Sequence, residues 1–255
     1  MCLCPVNGNP PYLAFTHVLQ AGYRAMLARP RHTLAVSYAH TGEIDGAALE
    51  KRWGPALSAH ENARLRSLRL ERDRRDYLAA HVLLRLTLAS ERGLEPETVD
   101  PRERAGWSIT HTGGFVACAV TSDPHGRVGV DVEHISAAQR LEELTGTFLT
   151  ATEHEALPGD PDARAVRMVE VWTAKEALLK ALGEGFSGEM GFGVLSMLES
   201  TPLGKVDGWG TISVRDARNG AAYSVWRRWV GLHSLAIVAI EGHEGEPRLM
   251  GVLLQ

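Results

Sequence analysis

The sequence predicts an α+β fold in which helices and antiparallel strands follow each other in two successive groups. Apolar residues recur at steps of three and four over residues 59–92 and 163–182, which is the helical period. Runs rich in β-branched residues occupy residues 107–132 and return near the C-terminus. The order of these elements predicts two α+β halves, 1–124 and 125–255, joined near residues 121–128.

The first half contains one long predicted helix. Residues 1–32 carry Pro and Gly without clean periodicity, and residues 34–38 indicate a short strand. The helix of residues 59–92 is expected to end at Gly93. It carries a charge run over residues 69–76, a pattern that usually marks a solvated helix face.

The second half begins after a turn cluster at residues 122–126. The strands on either side of this turn form either a hairpin or a crossover between the halves. A helix over residues 141–156 and a stronger one over 163–182, ended by Gly183, follow. Three antiparallel strands complete the half, at residues 210–214, 222–229 and 235–240.

Composition excludes several classes of protein. The chain has 255 residues, of which 44% are apolar and 23% charged, so it can bury a sizeable core and is not disordered. The net charge of −4 gives no overall basic field for nucleic acid. Three cysteines are too few for a disulfide framework. No stretch approaches the roughly 20 apolar residues that span a membrane. We therefore expect a cytoplasmic protein that binds neither nucleic acid nor membrane.

Lysine is rare in this chain. Only four of its 27 basic residues are lysines, and two of the four, Lys175 and Lys180, lie within six residues. Lys is a compact point charge, whereas Arg is a wide planar fork. The pair indicates a site that requires the compact charge, although chance on a helix surface would give the same spacing.

A pair of carboxylates lies on a predicted strand, in the segment Gly129-Val-Asp131-Val-Glu133. Residues i and i+2 of a strand point to the same face, so Asp131 and Glu133 project together. Adjacent carboxylates repel each other unless a cation lies between them, and oxygen ligands suit Mg²⁺. A strand with a solvent-facing polar side shows the same spacing, so this motif alone leaves both interpretations open.

A second motif lies on the predicted helix, as Trp172-Thr-Ala-Lys175-Glu176-Ala-Leu-Leu-Lys180. Glu176 and Lys180 form an i, i+4 pair on the face that also carries Trp172. This pair is either an ordinary helix salt bridge or a third metal carboxylate beside a phosphate-binding lysine. Glu176 follows Glu133 by 43 residues, and the two motifs together are far more specific than either alone.

The combined pattern, G-V-D-x-E and then W-x-x-K-E-x-x-x-K, resembles the 4′-phosphopantetheinyl transferase superfamily, of the surfactin-synthetase-associated (Sfp-like) type. The segment 107–112 is similar to the family's N-I-S-H-S motif, and residues 74–85 to its Arg-rich helix. The family often has Gly-Lys-Pro shortly before the histidine segment. Here residues 101–106 stand instead, with Arg102 and Arg104 as candidate replacements.

The resemblance implies two similar α/β halves in a pseudo-twofold arrangement, with coenzyme A in the cleft between them. It implies that Mg²⁺ is held by Asp131, Glu133 and Glu176, and that Glu176 and Lys180 are catalytic. Thr110 and His111 would bind the 3′-phosphate together with Arg64, Arg72 or Arg75. The implied coenzyme A contacts are Arg64, Arg72, Arg75, Thr110, His111, Lys175 and Lys180.

The implied activity is Mg²⁺-dependent transfer of the 4′-phosphopantetheine arm of coenzyme A to a serine of an apo acyl or peptidyl carrier protein, with release of adenosine 3′,5′-bisphosphate. Such chemistry needs charge neutralisation and positioning more than a covalent enzyme intermediate. We expect a monomer. Two alternatives stay open: a non-catalytic module that binds coenzyme A or a carrier protein, and a metal-dependent phosphohydrolase that uses the same carboxylates.

The resemblance implies a carrier protein that presents an acidic helix beside its serine. Because this chain is itself mildly acidic, docking would rely on a local patch and not on net charge. The segment between the two motifs offers Phe148 and Leu149 as apolar anchors and Arg140, Arg164 and Arg167 as cations. The alternative is that Phe148 packs in the core of the C-terminal half.

Overall fold

Two β-sheets and two long helices organise the part of the chain described by a computed structural model, namely residues 33–103, 106–184, 192–197, 208–240 and 245–254. Within these residues the strands are β1 (Leu34–His40), β2 (Trp107–Thr112), β3 (Phe115–Thr121), β4 (Arg127–His134), β5 (Leu195–Met197), β6 (Gly210–Asp216), β7 (Ala222–Val230), β8 (His233–Ile240) and β9 (Arg248–Gly251). The α-helices are α1 (Gly46–Trp53), α2 (Ala59–Ser67), α3 (Glu71–Arg92), α4 (Ala138–Glu143), α5 (Thr145–Phe148), α6 (Ala151–Glu155) and α7 (Pro161–Leu182).

The first sheet has the order β2–β3–β1–β9, with β9 parallel to β1 and the other pairs antiparallel. The second has the order β4–β8–β7–β6–β5 and is antiparallel throughout. The sheets pack face to face through apolar residues such as Val36 and Phe115 against Val130 and Ile237. Helix α3 covers the outer face of the first sheet, and α7 covers that of the second. The layers helix, sheet, sheet, helix confirm the predicted α+β class.

The predicted helix over residues 59–92 is two helices, because the chain turns at residues 68–70. Helix α2 starts at a capping box in which Ser58 and Glu61 bond each other's backbone N–H groups. The Glu61 carboxylate also lies 2.8 Å from Arg85 Nη2 and 2.8 Å from His81 Nδ1, both on α3. In one continuous helix, Glu61 and Arg85 would be about 36 Å apart. The buried charge cluster therefore requires the turn.

The turn at residues 122–126 is a crossover, since β3 and β4 belong to different sheets. The predicted boundary at 124/125 falls in this turn. From the C-terminal part, β9 returns to pair with β1, so residues 32–255 form one compact unit. The sequence analysis did not predict β9.

The predicted helix over residues 141–156 is three short helices, α4 to α6. A second capping box, between Thr150 and Glu153, starts α6 and interrupts the helical pattern.

The three C-terminal strands are confirmed as β6, β7 and β8. The prediction for residues 1–32 lies outside the described residues. No helix of the described segments is long and apolar enough to cross a membrane.

Candidate active site

Strand β4 presents alternate residues to its two sides, as its sequence predicted. Val130 and Val132 pack toward the first sheet, and Gly129, Asp131 and Glu133 alternate with them. A Cβ at Gly129 would lie 2.0 Å from the carbonyl oxygen of residue 177 and 2.5 Å from the amide nitrogen of residue 181. Glycine therefore allows α7 to pack directly on β4, which brings the carboxylate strand beside the Lys-Glu helix.

Asp131 is buried, with 6% of its surface exposed. Its Oδ1 atom accepts hydrogen bonds from Lys180 Nζ at 2.8 Å and from Thr110 Oγ1 at 3.0 Å. Its Oδ2 atom is buried and has no hydrogen-bond partner in the described part of the structure. A buried carboxylate oxygen without a partner is costly, so this atom is available to a ligand.

Glu133 is held from two sides. Thr112 on β2 donates to its Oε2 atom at 3.1 Å, and Arg140 Nη2 on α4 donates to its Oε1 atom at 3.0 Å. Burial raises the pKa of Glu133, the neighbouring Asp131 carboxylate raises it further, and Arg140 opposes the increase.

Glu176 is half-buried on the face of α7 that also carries Lys180. Burial raises its pKa, and the charges of Asp131 and Glu133 add to the increase while Lys180 opposes it. The three predicted carboxylates therefore lie within electrostatic range of one another. Lys180 Nζ also donates to the carbonyl of Val130 at 3.1 Å, which fixes the ammonium between the strand and the helix.

These residues fit a divalent cation by their chemistry. Oxygen ligands suit Mg²⁺, Asp131 has an unbonded buried oxygen, and a cation would relieve the repulsion that raises the pKa values of Glu133 and Glu176. Among the described residues, however, no three His, Cys, Asp or Glu side chains are arranged to enclose an ion. Mg²⁺ is commonly held by one or two carboxylates together with phosphate and water oxygens, so a three-residue cage is not required.

Lys175 does not join this group, which corrects its predicted contact with coenzyme A. Its side chain is fully buried, and Nζ donates to Glu153 at 2.6 Å and to the carbonyl of Phe148 at 2.7 Å. Glu153 also accepts from the backbone N–H groups of Thr150 and Met197. Because residues 100° apart on a helix face different directions, Lys175 points into the core while Glu176 does not.

The other predicted coenzyme A contacts are more dispersed. His111 is exposed. Desolvation lowers its pKa, the Asp76 carboxylate raises that pKa, and the Lys180 ammonium lowers it. The influence of Lys180 places His111 near the carboxylate group. Thr110 is buried, and its hydroxyl donates a hydrogen bond to Asp131. Arg75 lines a groove between α1 and α3.

Arg64 and Arg72 are exposed on α2 and α3, and Arg72 Nε lies 3.4 Å from Asp73. Arg102 pairs with Asp100, while Arg104 lies outside the described residues. Of the predicted 3′-phosphate group, the structure thus brings Thr110, through Asp131, and His111 close to Lys180.

The predicted docking surface is smaller than expected. Phe148 is fully buried against Trp172, and Leu149 is 8% exposed, so the alternative of core packing is right for Phe148. Arg164 donates to Glu142 in a bidentate pair, and Arg167 is half-buried. Of these four residues, only the two arginines reach the surface.

Sequence reasoning missed the partners of the acidic residues. Arg140 was placed on the docking surface, yet it bonds Glu133. Glu153 was not singled out, although Thr150-x-x-Glu153 is a capping-box signature that marks a fixed glutamate. The position of Arg140 depends on the direction of α4 after β4, for which the sequence offers no signal.

Comparisons with known proteins agree with this geometry. Residues 127–232, which include both motifs, match the family model of the 4′-phosphopantetheinyl transferase superfamily. The chain is 29% identical to the 4′-phosphopantetheinyl transferase HetI of Nostoc sp., over 51% of this chain and 61% of that protein. It is 27% identical to a 4′-phosphopantetheinyl transferase of Bacillus subtilis, over 55% and 66%. Enterobactin synthase component D of Escherichia coli O157:H7 is 36% identical over 33% and 39%.

A solved structure of a holo-(acyl-carrier-protein) synthase from Bacillus anthracis, in complex with CoA (3′,5′-ADP), is 18% identical and covers 44% of this chain and 93% of that chain. Its TM-score of 0.31 is too low to support an argument. The chain spans about 60% of the length of the first curated relatives it matches. Residues 127–232, with the carboxylates and the lysine that they contain, are thus similar to the 4′-phosphopantetheinyl transferase superfamily.

Proposed function

We propose that this protein transfers the 4′-phosphopantetheine arm of coenzyme A to a serine of an apo acyl or peptidyl carrier protein and releases adenosine 3′,5′-bisphosphate. The observation that carries the proposal is the meeting of Asp131, Glu133, Glu176 and Lys180 where α7 packs on β4. The similarity of residues 127–232 to the 4′-phosphopantetheinyl transferase superfamily supports it.

Asp131, Glu133 and Glu176 would hold Mg²⁺, which when bound supplies positive charge to the coenzyme A pyrophosphate. Lys180 adds a second positive charge beside Asp131. Glu176 is the candidate general base, because it is a half-buried carboxylate beside Lys180 and the other two carboxylates. It would take the proton of the serine hydroxyl as the serine oxygen–phosphorus bond forms and the bond to the leaving bisphosphate breaks.

The substrates would lie between two halves, 1–124 and 125–255, related by an approximate twofold axis. This arrangement is supported by the two long helices α3 and α7, which both have 22 residues, both end at a glycine with positive φ and each cover one sheet. His111 would bind the 3′-phosphate with Arg64, Arg72 or Arg75, and Arg164 and Arg167 would contact an acidic carrier protein.

The experiment that tests the function is mass spectrometry of an apo carrier protein incubated with coenzyme A, Mg²⁺ and this protein. The proposal expects the phosphopantetheine mass increment, and D131N, which keeps the shape of Asp131, should abolish it at ordinary Mg²⁺ concentrations. Hydrolysis of coenzyme A without a carrier protein would indicate a phosphohydrolase. Coenzyme A binding without any turnover would indicate a binding module.

The same assay locates the two substrates. H111A should weaken the binding of coenzyme A much more than the binding of 3′-dephospho-coenzyme A, because only coenzyme A has the 3′-phosphate. R167E should raise KM for the carrier protein and leave that for coenzyme A unchanged. Equal losses for the two nucleotides, or an unchanged carrier-protein KM, would remove the residue concerned from its proposed role.

A further inference from the structure

Arg140 connects the two elements that carry the carboxylates. It lies on α4, and its Nη2 atom donates to Glu133 Oε1 at 3.0 Å. Its guanidinium also lies over the indole ring of Trp172, with Cζ 5.6 Å from the ring centroid. Glu133 belongs to β4, and Trp172 belongs to α7 one turn before Glu176. One side chain thus spans the strand and the helix of the candidate active site.

Both ends of this bridge are fixed. The Trp172 ring is 7% exposed and packs against Phe148 at 5.4 Å and Phe192 at 4.7 Å between centroids. Thr112 holds the second oxygen of Glu133 from the opposite side. A planar guanidinium can stack on an aromatic ring and donate to a carboxylate at the same time, whereas an ammonium is a single point charge.

We propose that Arg140 is a positioning residue that fixes the orientation of Glu133 for binding of a divalent cation. Each carboxylate oxygen has two lone pairs, so Glu133 can accept from Arg140 and still coordinate a cation. Carboxylate ligands of metals are commonly held in this way by an outer hydrogen bond, and losing such a partner typically costs 10–100-fold in metal affinity. The inference rests on the proposed function, because it requires the carboxylate group to bind metal.

The test is a direct titration of Mn²⁺, followed by electron paramagnetic resonance, into the full-length protein saturated with coenzyme A. Mn²⁺ replaces Mg²⁺ as an observable hard cation. We expect R140A to bind Mn²⁺ about ten-fold more weakly than the unmodified protein. Its Tm should stay close to that of the unmodified protein, because the Arg140 side chain is 55% exposed and loses little packing.

R248A is the matched control. Arg248 is 56% exposed and also pairs with a single glutamate, Glu91, but it lies on β9, away from the carboxylate group. Its removal deletes the same charge, so Mn²⁺ affinity should not change. R140K retains the charge without the planar contact and should recover only part of the lost affinity.

The outcomes separate the inference from the proposed function. Tighter Mn²⁺ binding by R140A would show that Arg140 competes with the cation for Glu133, and it would overturn the positioning role. Unchanged affinity in R140A, or full recovery in R140K, would also overturn it while leaving the metal site intact. If the unmodified protein binds no Mn²⁺, the metal assignment itself fails and the inference fails with it.

Discussion

Lys175 and Lys180 lie five residues apart on α7, and each ammonium bonds one carboxylate and one backbone carbonyl. The Lys175 side chain is 0% exposed and pairs with Glu153 at 2.6 Å. The Lys180 side chain is 31% exposed and pairs with Asp131 at 2.8 Å. The bonding of the two lysines is alike, and the difference lies in the carboxylates.

The hydrogen bonding of Glu153 is complete, because Lys175 and two backbone N–H groups donate to its two oxygens. Asp131 is incomplete, since its buried Oδ2 atom has no partner among the described residues and two more carboxylates lie near it. This complete buried pair fixes α5, α6, α7 and β5 to one another. An incomplete one, open to solvent through its lysine, can accept a ligand. Lys175 therefore holds the fold, whereas Lys180 pairs with a carboxylate that can still accept a ligand.

The largest effect expected from this difference is on stability at Lys175. K175M leaves the Glu153 carboxylate buried without its cation, and breaking a buried pair in this way typically costs about 3–5 kcal/mol. Chemical denaturation should show this loss in the free energy of unfolding. K180M, on the same helix, should cost about 1 kcal/mol, because its ammonium is partly solvated.

The double variant K175M/E153M tests the cause of that loss. Replacing both members of a buried pair with apolar residues is often neutral. Because E153M also removes the acceptor for the backbone N–H groups of Thr150 and Met197, the second substitution should restore only part of the lost stability. If K175M and K180M destabilise the protein equally, the distinction between the two lysines is wrong.

The second effect is on activity at Lys180. K180M removes a positive charge beside the proposed pyrophosphate site, and losing one such electrostatic contact typically lowers kcat by about 100-fold. K180R retains the charge but not the compact shape, so it should recover only part of the rate. The rate of carrier-protein modification, measured by mass spectrometry, checks both variants. Transfer by K180M at the unmodified rate would place the phosphates elsewhere.

The sequence predicted the side of the site that rests on periodicity. Asp131 and Glu133 follow the two-residue alternation of a strand, and Glu176 and Lys180 follow the four-residue spacing of a helix. Both rules depend only on local backbone geometry, so a single sequence suffices for them. The three C-terminal strands were predicted for the same reason.

Residues whose roles depend on tertiary contacts could not be predicted in this way. Lys175 follows the motif as closely as Lys180 does, but its direction depends on Glu153, 22 residues away in the chain. Arg140 reaches Glu133 only because α4 folds back beside β4. Strand β9 needs β1 as its partner, more than 200 residues earlier. In each case the deciding contact is absent from the local pattern.

The smallest expected effect is a gain in stability at Glu176, the neighbour of Lys175. Burial and the charges of Asp131 and Glu133 raise the pKa of Glu176 in the folded protein. A carboxyl with a raised pKa binds its proton more tightly in the folded state, so its ionised form lowers stability at neutral pH. In metal-free protein, E176Q should therefore raise the free energy of unfolding by about 0.5 kcal/mol at pH 7.5.

This gain should shrink as the pH falls through the raised folded-state pKa toward the unfolded value near 4.5, because the native glutamate then becomes protonated and neutral as well. Denaturation at pH 7.5 and pH 5, without metal, measures the change. E155Q is the control, since Glu155 is an exposed carboxylate on α6 and its removal should give no such gain. A loss of stability in E176Q, or a gain that does not depend on pH, would mean that Glu176 is not under the repulsion of the carboxylate group. Removing Lys175 lowers the free energy of unfolding, because Lys175 neutralises a buried carboxylate. Removing the charge of Glu176 raises it, because Glu176 is ionised beside two other carboxylates.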